Sequence, residues 1–191
     1  SGIGEFLWLV PSPPSMDVDV RVVCKDSGQG DVMDDVGDPA ETFDIAGENV
    51  YGTDSTQEDI HSHYVAAGSD SLSGYEYTGR MMITNSKGGI GVTFFSRYPN
   101  EDAYYRLRRY GNNAFHISPH GTNVTGDSDT GVVPQPNVWY WFKIQVEDTG
   151  SRTEIRAKVW PENSAEPAAW QVDCYDSKSS RLTSGAIGVW S

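Results

Sequence analysis

Trp139-Tyr140-Trp141-Phe142-Lys143-Ile144-Gln145-Val146-Glu147 is followed by Asp148-Thr149-Gly150-Ser151 and then by Thr153-Glu154-Ile155-Arg156-Ala157-Lys158-Val159-Trp160. Tyr140, Phe142, Ile144 and Val146 share one side of a period-two ladder, and Ile155, Ala157 and Val159 share one side of the next. Such alternation marks a half-buried strand, and the turn residues between the two runs join them as an antiparallel hairpin. One face of that hairpin needs an apolar partner, which in an all-β chain is a second sheet.

The same pattern continues to either side. Short strands are predicted at 42–46, 61–66, 75–84, 90–97, 104–110, 114–118, 170–175 and 186–190, with Gly88-Gly89 turning the chain between two of them. No stretch has the length and period of an ordinary amphipathic helix. The composition agrees: 18 Val against 5 Leu, with 20 Gly, 10 Pro and 22 aromatic residues, suits pleated, half-buried surfaces joined by tight turns. At 191 residues a single domain is expected. The fold class is therefore all-β, an antiparallel β-sandwich of about ten or more strands with little helix.

Charge divides the chain unevenly. Residues 1–74 hold 15 acids and only Arg21 and Lys25, whereas residues 75–191 are balanced at 12 of each sign. The net charge of -13 argues against a general nucleic-acid binder, and no run of about 18 apolar residues suggests membrane insertion. Residues 1–40 read as an N-terminal arm and acidic loop on a domain spanning 41–191. Pro11-Ser12-Pro13-Pro14 makes a stiff elbow before the alternating Val18, Val20 and Val22, and residues 26–41 read as loop. Asp31, Asp34, Asp35 and Asp38 within that loop offer oxygen ligands for a structural calcium ion, although they lack EF-hand order. Cys24 and Cys174 permit one disulfide, expected to tie the arm to the penultimate strand in an oxidising compartment.

The second half resembles the concanavalin A-like lectin/glucanase jelly rolls, in particular their laminin-G-like and DUF1080-type modules. The resemblance runs over roughly 41–191. It is carried by Gly89-Ile90-Gly91-Val92-Thr93-Phe94-Phe95-Ser96-Arg97, by Ala103-Tyr104-Tyr105-Arg106-Leu107, by Trp139 through Val146, by Pro167 to Trp170 with Asp176, and by Gly185-Ala186-Ile187-Gly188-Val189. It implies jelly-roll topology, a secreted or cell-surface location, and glycan binding, glycan cleavage or adhesion. It also implies a last strand after Gly185 to Val189, which does not follow before Ser191, so the N-terminal arm is expected to fill that place or to mediate self-association. The Glu-Xaa-Asp-Xaa-Xaa-Glu strand of the glucanases is absent, as are the signatures of jelly-roll alginate lyases.

Arg80, Lys87, Arg97, Arg106, Arg108 and Arg109 form a basic island in which only Glu101 and Asp102 are acidic. Alternation places Tyr104, Arg106, Arg108 and Tyr110 on one face. Guanidinium groups suit carboxylates and sulfates through paired hydrogen bonds, and tyrosine rings suit sugar faces. The competing reading is that these arginines pair with acids of the first third. Trp139 and Trp141, opposite the core side of their strand, extend the candidate ligand face, and His116 joins it as a proton-transfer type. His61 and His63 share one side of a strand and could chelate, but no third ligand lies at informative spacing. The expected function is a carbohydrate-binding module, for an anionic polysaccharide, without catalysis and with no required cofactor. A polysaccharide lyase or hydrolase and an adhesive assembly subunit are the alternatives.

Overall fold

Within residues 58–191 the period-two runs become ten strands, all paired antiparallel, in two sheets. The computed structural model describes residues 58–191 and, before them, the backbones of four short strands. In chain order the strands are β1 (Met16–Asp19), β2 (Met33–Val36), β3 (Glu41–Ile45), β4 (Glu48–Gly52), β5 (His61–Tyr64), β6 (Tyr75–Met82) and β7 (Ile90–Ser96). They continue as β8 (Tyr104–Arg109), β9 (His116–His120), β10 (Thr125–Asp127), β11 (Trp139–Asp148), β12 (Thr153–Pro161), β13 (Val172–Asp176) and β14 (Ala186–Trp190). Among the described residues the only helical element is a 3-10 turn at Ser69–Ser71, and no helix is long and apolar enough to cross a membrane.

The first sheet runs β1-β6-β11-β12-β13-β10 and the second β2-β5-β14-β7-β8-β9, while β3 and β4 pair with each other. The β11–β12 hairpin sets Phe142 opposite Val159, Ile144 opposite Ala157 and Val146 opposite Ile155. These side chains, with Tyr75, Tyr77, Val172 and Cys174, form the first sheet's half of the core. Val92, Phe94, Tyr105, Leu107, Ile117 and Ile187 form the second sheet's half. Burying each large aliphatic side chain contributes about 1.5–3 kcal/mol, so this interface between sheets is the main source of stability.

Four features depart from the sequence reading. Residues 26–41 were expected to be loop, yet β2 lies within them and pairs antiparallel with β5 at the sheet edge, where charged residues are tolerated and discourage further pairing. The strand at the opposite edge of that sheet, β9, runs through Pro119 and so ends two residues beyond the predicted strand. Proline lacks an N–H, which an edge strand can spare on its unpaired side. β4 and β10 are short and had no alternation to reveal them, β4 placing Val50 next to Tyr51 and β10 being Thr125-Gly126-Asp127. Finally, Phe94 and Phe95 are both fully buried although neighbours in a strand should face opposite ways. A bulge opposite Ile187 explains this: the register shifts between Ala186 and Gly188, and Phe95 takes a φ of 46°. Its N–H donates to the Tyr75 hydroxyl at 2.9 Å, and that hydroxyl lies 3.3 Å from Gly185 O, which it reaches as donor.

At the other end of the chain order, the alternating segment after the proline elbow supplies β1, which lies parallel beside Tyr75–Thr78 at the edge of the first sheet. Cys24 lies outside the described residues, while Cys174 is a buried free thiol whose pKa is pushed up to about 12 by burial.

Candidate functional site

Because Tyr105 and Leu107 turn inward, Tyr104, Arg106 and Arg108 stand on the outer face of β8. Next to them, Ile117 turns inward and leaves His116, Ser118 and His120 outward on β9. The same alternation brings His61 and His63 of β5 and Trp190 of β14 to this face. The outer face of the second sheet thus gathers four histidines, two arginines, a tyrosine and a tryptophan on four strands.

Two glycines allow these residues to touch. Gly188 of β14 lies opposite His63 on one side and Thr93 on the other, and over it His63 Nδ1 and Thr93 Oγ1 meet at 3.2 Å. A Cβ at 188 would stand 2.3 Å from Ser62 O and 2.6 Å from Thr93 Oγ1. One strand further on, Gly91 of β7 lies between Trp190 and Arg108, and the Arg108 guanidinium reaches to 4.7 Å from the Trp190 ring centre. A Cβ at 91 would approach Arg108 Cβ to 2.7 Å.

At the basic end of the face, Arg106 also lies over the Trp190 ring, at 5.5 Å. Both guanidiniums approach one oxygen, Asp59 Oδ1, at 3.4 Å from Arg106 Nη1 and 3.7 Å from Arg108 Nη1. Trp190 Nε1 donates to the same oxygen at 3.1 Å. The Arg106 side chain is 7% exposed, that of Asp59 69%. The Nε atoms of Arg106 and Arg108 are buried without a hydrogen-bond acceptor. Burial, then the neighbouring Arg108 charge, lowers the Arg106 pKa, although an arginine starts so high that it stays protonated. Tyr110, exposed, lies 4.7 Å from the Arg108 guanidinium and closes this end with His116, whose Nδ1 donates to Ala114 O at 2.9 Å.

The other end is a cluster of rings. His63 Nε2 and His61 Nδ1 share a hydrogen bond of 2.9 Å, and Tyr98 stacks on His63. Tyr104 lies 5.0 Å from His63 and 5.5 Å from His61, and its other side stacks on His120 at 4.7 Å. His120 Nε2 in turn lies 3.0 Å from Asp102 Oδ2. Burial brings the His63 pKa down to about 3 and also lowers that of His61, so both are neutral near pH 7. Burial pushes the Tyr104 hydroxyl up to about 12.

The sequence-derived ligand face is therefore split. Tyr104, Arg106, Arg108, Tyr110 and His116 come together, but Arg80, Trp139 and Trp141 belong to the first sheet and lie on the opposite outer face. There Arg80 sits over both tryptophan rings, at 5.2 and 5.6 Å, and pairs with Glu162. Arg97 lies at the end of β7 and pairs with Glu101 at 3.2 Å. Of the acidic cluster, Asp34 and Asp35 are on β2 and Asp31 and Asp38 lie outside the described residues. Among the described residues no three His, Cys, Asp or Glu side chains are grouped to hold a metal ion. Sequence reasoning missed Asp59, Trp190, Tyr98, Asp102 and His120 as members of the face. Trp190 closes an apolar strand and so reads as core, and the others lie at strand ends or in turns, where alternation carries no signal. No protein-family model matches the chain, and neither a curated protein nor a solved structure matches it.

Proposed function

We propose that the chain is a carbohydrate-binding module that holds an anionic polysaccharide on the outer face of its second sheet, outside the cell. The observation that supports this most is the Arg106–Arg108 pair. Two guanidiniums, flanking one tryptophan ring and retaining buried Nε donors without acceptors, suit a carboxylate or sulfate presented on a ring that can lie against Trp190, Tyr104 or Tyr110. The concanavalin A-like jelly-roll resemblance supports the glycan and the extracellular location. Titration calorimetry with polygalacturonate, dextran sulfate and neutral dextran tests the reading. An anionic probe should bind with affinity that falls steeply with salt, and Arg106→Ala with Arg108→Ala should weaken it by roughly 2–5 kcal/mol. Equal binding of the neutral and anionic probes would overturn it.

A second reading, a uronate lyase, is favoured by the ring cluster beside Arg106. In that reading Arg106 neutralises the uronate carboxylate and so acidifies the C5 proton. Neutral His61 accepts that proton, the C4–O bond breaks as the C4–C5 double bond forms, and the protonated Tyr104 hydroxyl supplies the leaving oxygen with a proton. Return of the proton from His61 to the tyrosinate through solvent restores both groups. Ultraviolet absorbance of an unsaturated product from polygalacturonate would support it, and its absence from all uronates tried, with binding intact, would leave the binding module alone.

A further inference from the structure

Asp59 occupies an unusual position. It is the acid that meets both arginines, it comes from the acidic first third of the chain, and its side chain is mostly exposed while Arg106 is buried and Arg108 partly so. A single oxygen faces three donors, from Arg106, Arg108 and Trp190. The two guanidinium distances, 3.4 and 3.7 Å, are well beyond the roughly 2.7–2.9 Å of a good charge-assisted hydrogen bond. The φ of Asp59 is 57°, uncommon for a residue with a side chain, and its carboxylate stands 69% exposed at the rim of the donors. The arginines therefore have an anion that partly neutralises them without seating fully.

We infer that the Asp59 carboxylate stands where a ligand's carboxylate binds, so that it selects ligands by requiring them to displace it from Arg106, Arg108 and Trp190. The inference rests on the proposed binding face and deepens it in two ways. It names a planar carboxylate, as on a uronic acid, as the group recognised, because the donors already converge on one. It also makes Asp59 a specificity-determining residue: a neutral sugar gains nothing by moving it, and an isolated carboxylate competes with it poorly. A polymer that offers several carboxylates along the face displaces it through its higher local concentration.

The test compares wild type with Asp59→Asn, which removes the charge, keeps an acceptor for Trp190 Nε1, and suits a positive φ. Asp59→Gly, which tolerates the same φ without a side chain, is the second variant. Calorimetry uses oligogalacturonate, free galacturonate, dextran sulfate and neutral dextran. The expected result is 5- to 30-fold tighter binding of oligogalacturonate by both variants, measurable binding of free galacturonate that wild type lacks, and no change for neutral dextran. If wild type binds oligogalacturonate and the variants bind it no better, Asp59 orients the arginines instead, and the inference falls while the binding face stands. If the gain appears with dextran sulfate alone, the carboxylate assignment is wrong. If wild type and both variants fail to bind every anionic probe, the binding face and the inference fall together.

Discussion

The Arg108 guanidinium and the Trp190 ring lie 4.7 Å apart across a strand that separates them, because that strand carries Gly91 between them. A methyl group at 91 would meet Leu107 O at 2.4 Å as well as the Arg108 side chain. Gly91→Ala is expected to destabilise the fold by roughly 1–3 kcal/mol and to part the two side chains. Urea unfolding measures the first effect, and a change in Trp190 fluorescence, isolated by comparison with Trp190→Phe, measures the second. An alanine variant as stable as wild type would mean that the strands separate easily at this point.

Tyr75 joins the two sheets through the bulge, since its hydroxyl accepts the Phe95 N–H and lies within reach of Gly185 O. Removing the hydroxyl leaves a buried amide without its acceptor. Tyr75→Phe should lower stability by about 1–3 kcal/mol, read as a shift of the denaturation midpoint at unchanged m-value.

Asp176 is fully buried and accepts hydrogen bonds from Tyr105 Oη, Thr122 Oγ1, Asn123 N and Lys178 N, which pins the 121–124 segment to the end of β13. Burial by itself raises a carboxyl pKa, but these four donors outweigh it and hold Asp176 below its usual range. A lowered folded-state pKa means that the stabilisation is present above about pH 4 and is lost as pH falls further. Asp176→Asn should cost roughly 2–4 kcal/mol at pH 7 and should remove part of the acid sensitivity. Melting temperatures from pH 7 to pH 2.5 would test this, and parallel curves for the two proteins would refute it.

His63 responds in the same direction for a different reason. Burial keeps it neutral down to about pH 3, whereas in the unfolded chain it takes up a proton below about pH 6.5. Its contribution is therefore complete above that pH and declines on acidification, by up to about 1.4 kcal/mol per pH unit. His63→Gln should flatten the stability profile between pH 6.5 and 4 by up to one proton. A slope unchanged by the substitution would show that His63 is protonated in the native state as well.

The sandwich was legible because Tyr140 to Val146 and Ile155 to Val159 alternate without interruption, and inward-facing positions must be apolar throughout. Alternation likewise set Tyr104, Arg106 and Arg108 on one face of β8, and His61 and His63 on one face of β5. It could not say which sheet a strand joins. Charge therefore grouped Arg80, and outward-facing aromatic character grouped Trp139 and Trp141, with the arginines of β8, although strand order sends them to opposite sides of the molecule. Nor could it value an absence: Gly91 and Gly188 read as parts of a glycine-spaced strand motif, yet their missing side chains are what bring residues of non-adjacent strands into contact. The bulge at Phe95 was hidden for a similar reason, since one extra residue shifts the register without changing composition.

The strands that carry Arg106, Arg108 and Trp190 are each hydrogen-bonded to neighbours on both sides. Side chains on such a support, already stacked on one another, lose their rotamer freedom during folding. Fixing a mobile side chain at a binding surface costs roughly 0.5–1.5 kcal/mol of conformational entropy, and a recognition loop incurs that loss each time a ligand arrives. On the proposed face that ordering is achieved in folding, so a bound anion would meet donors that are already held.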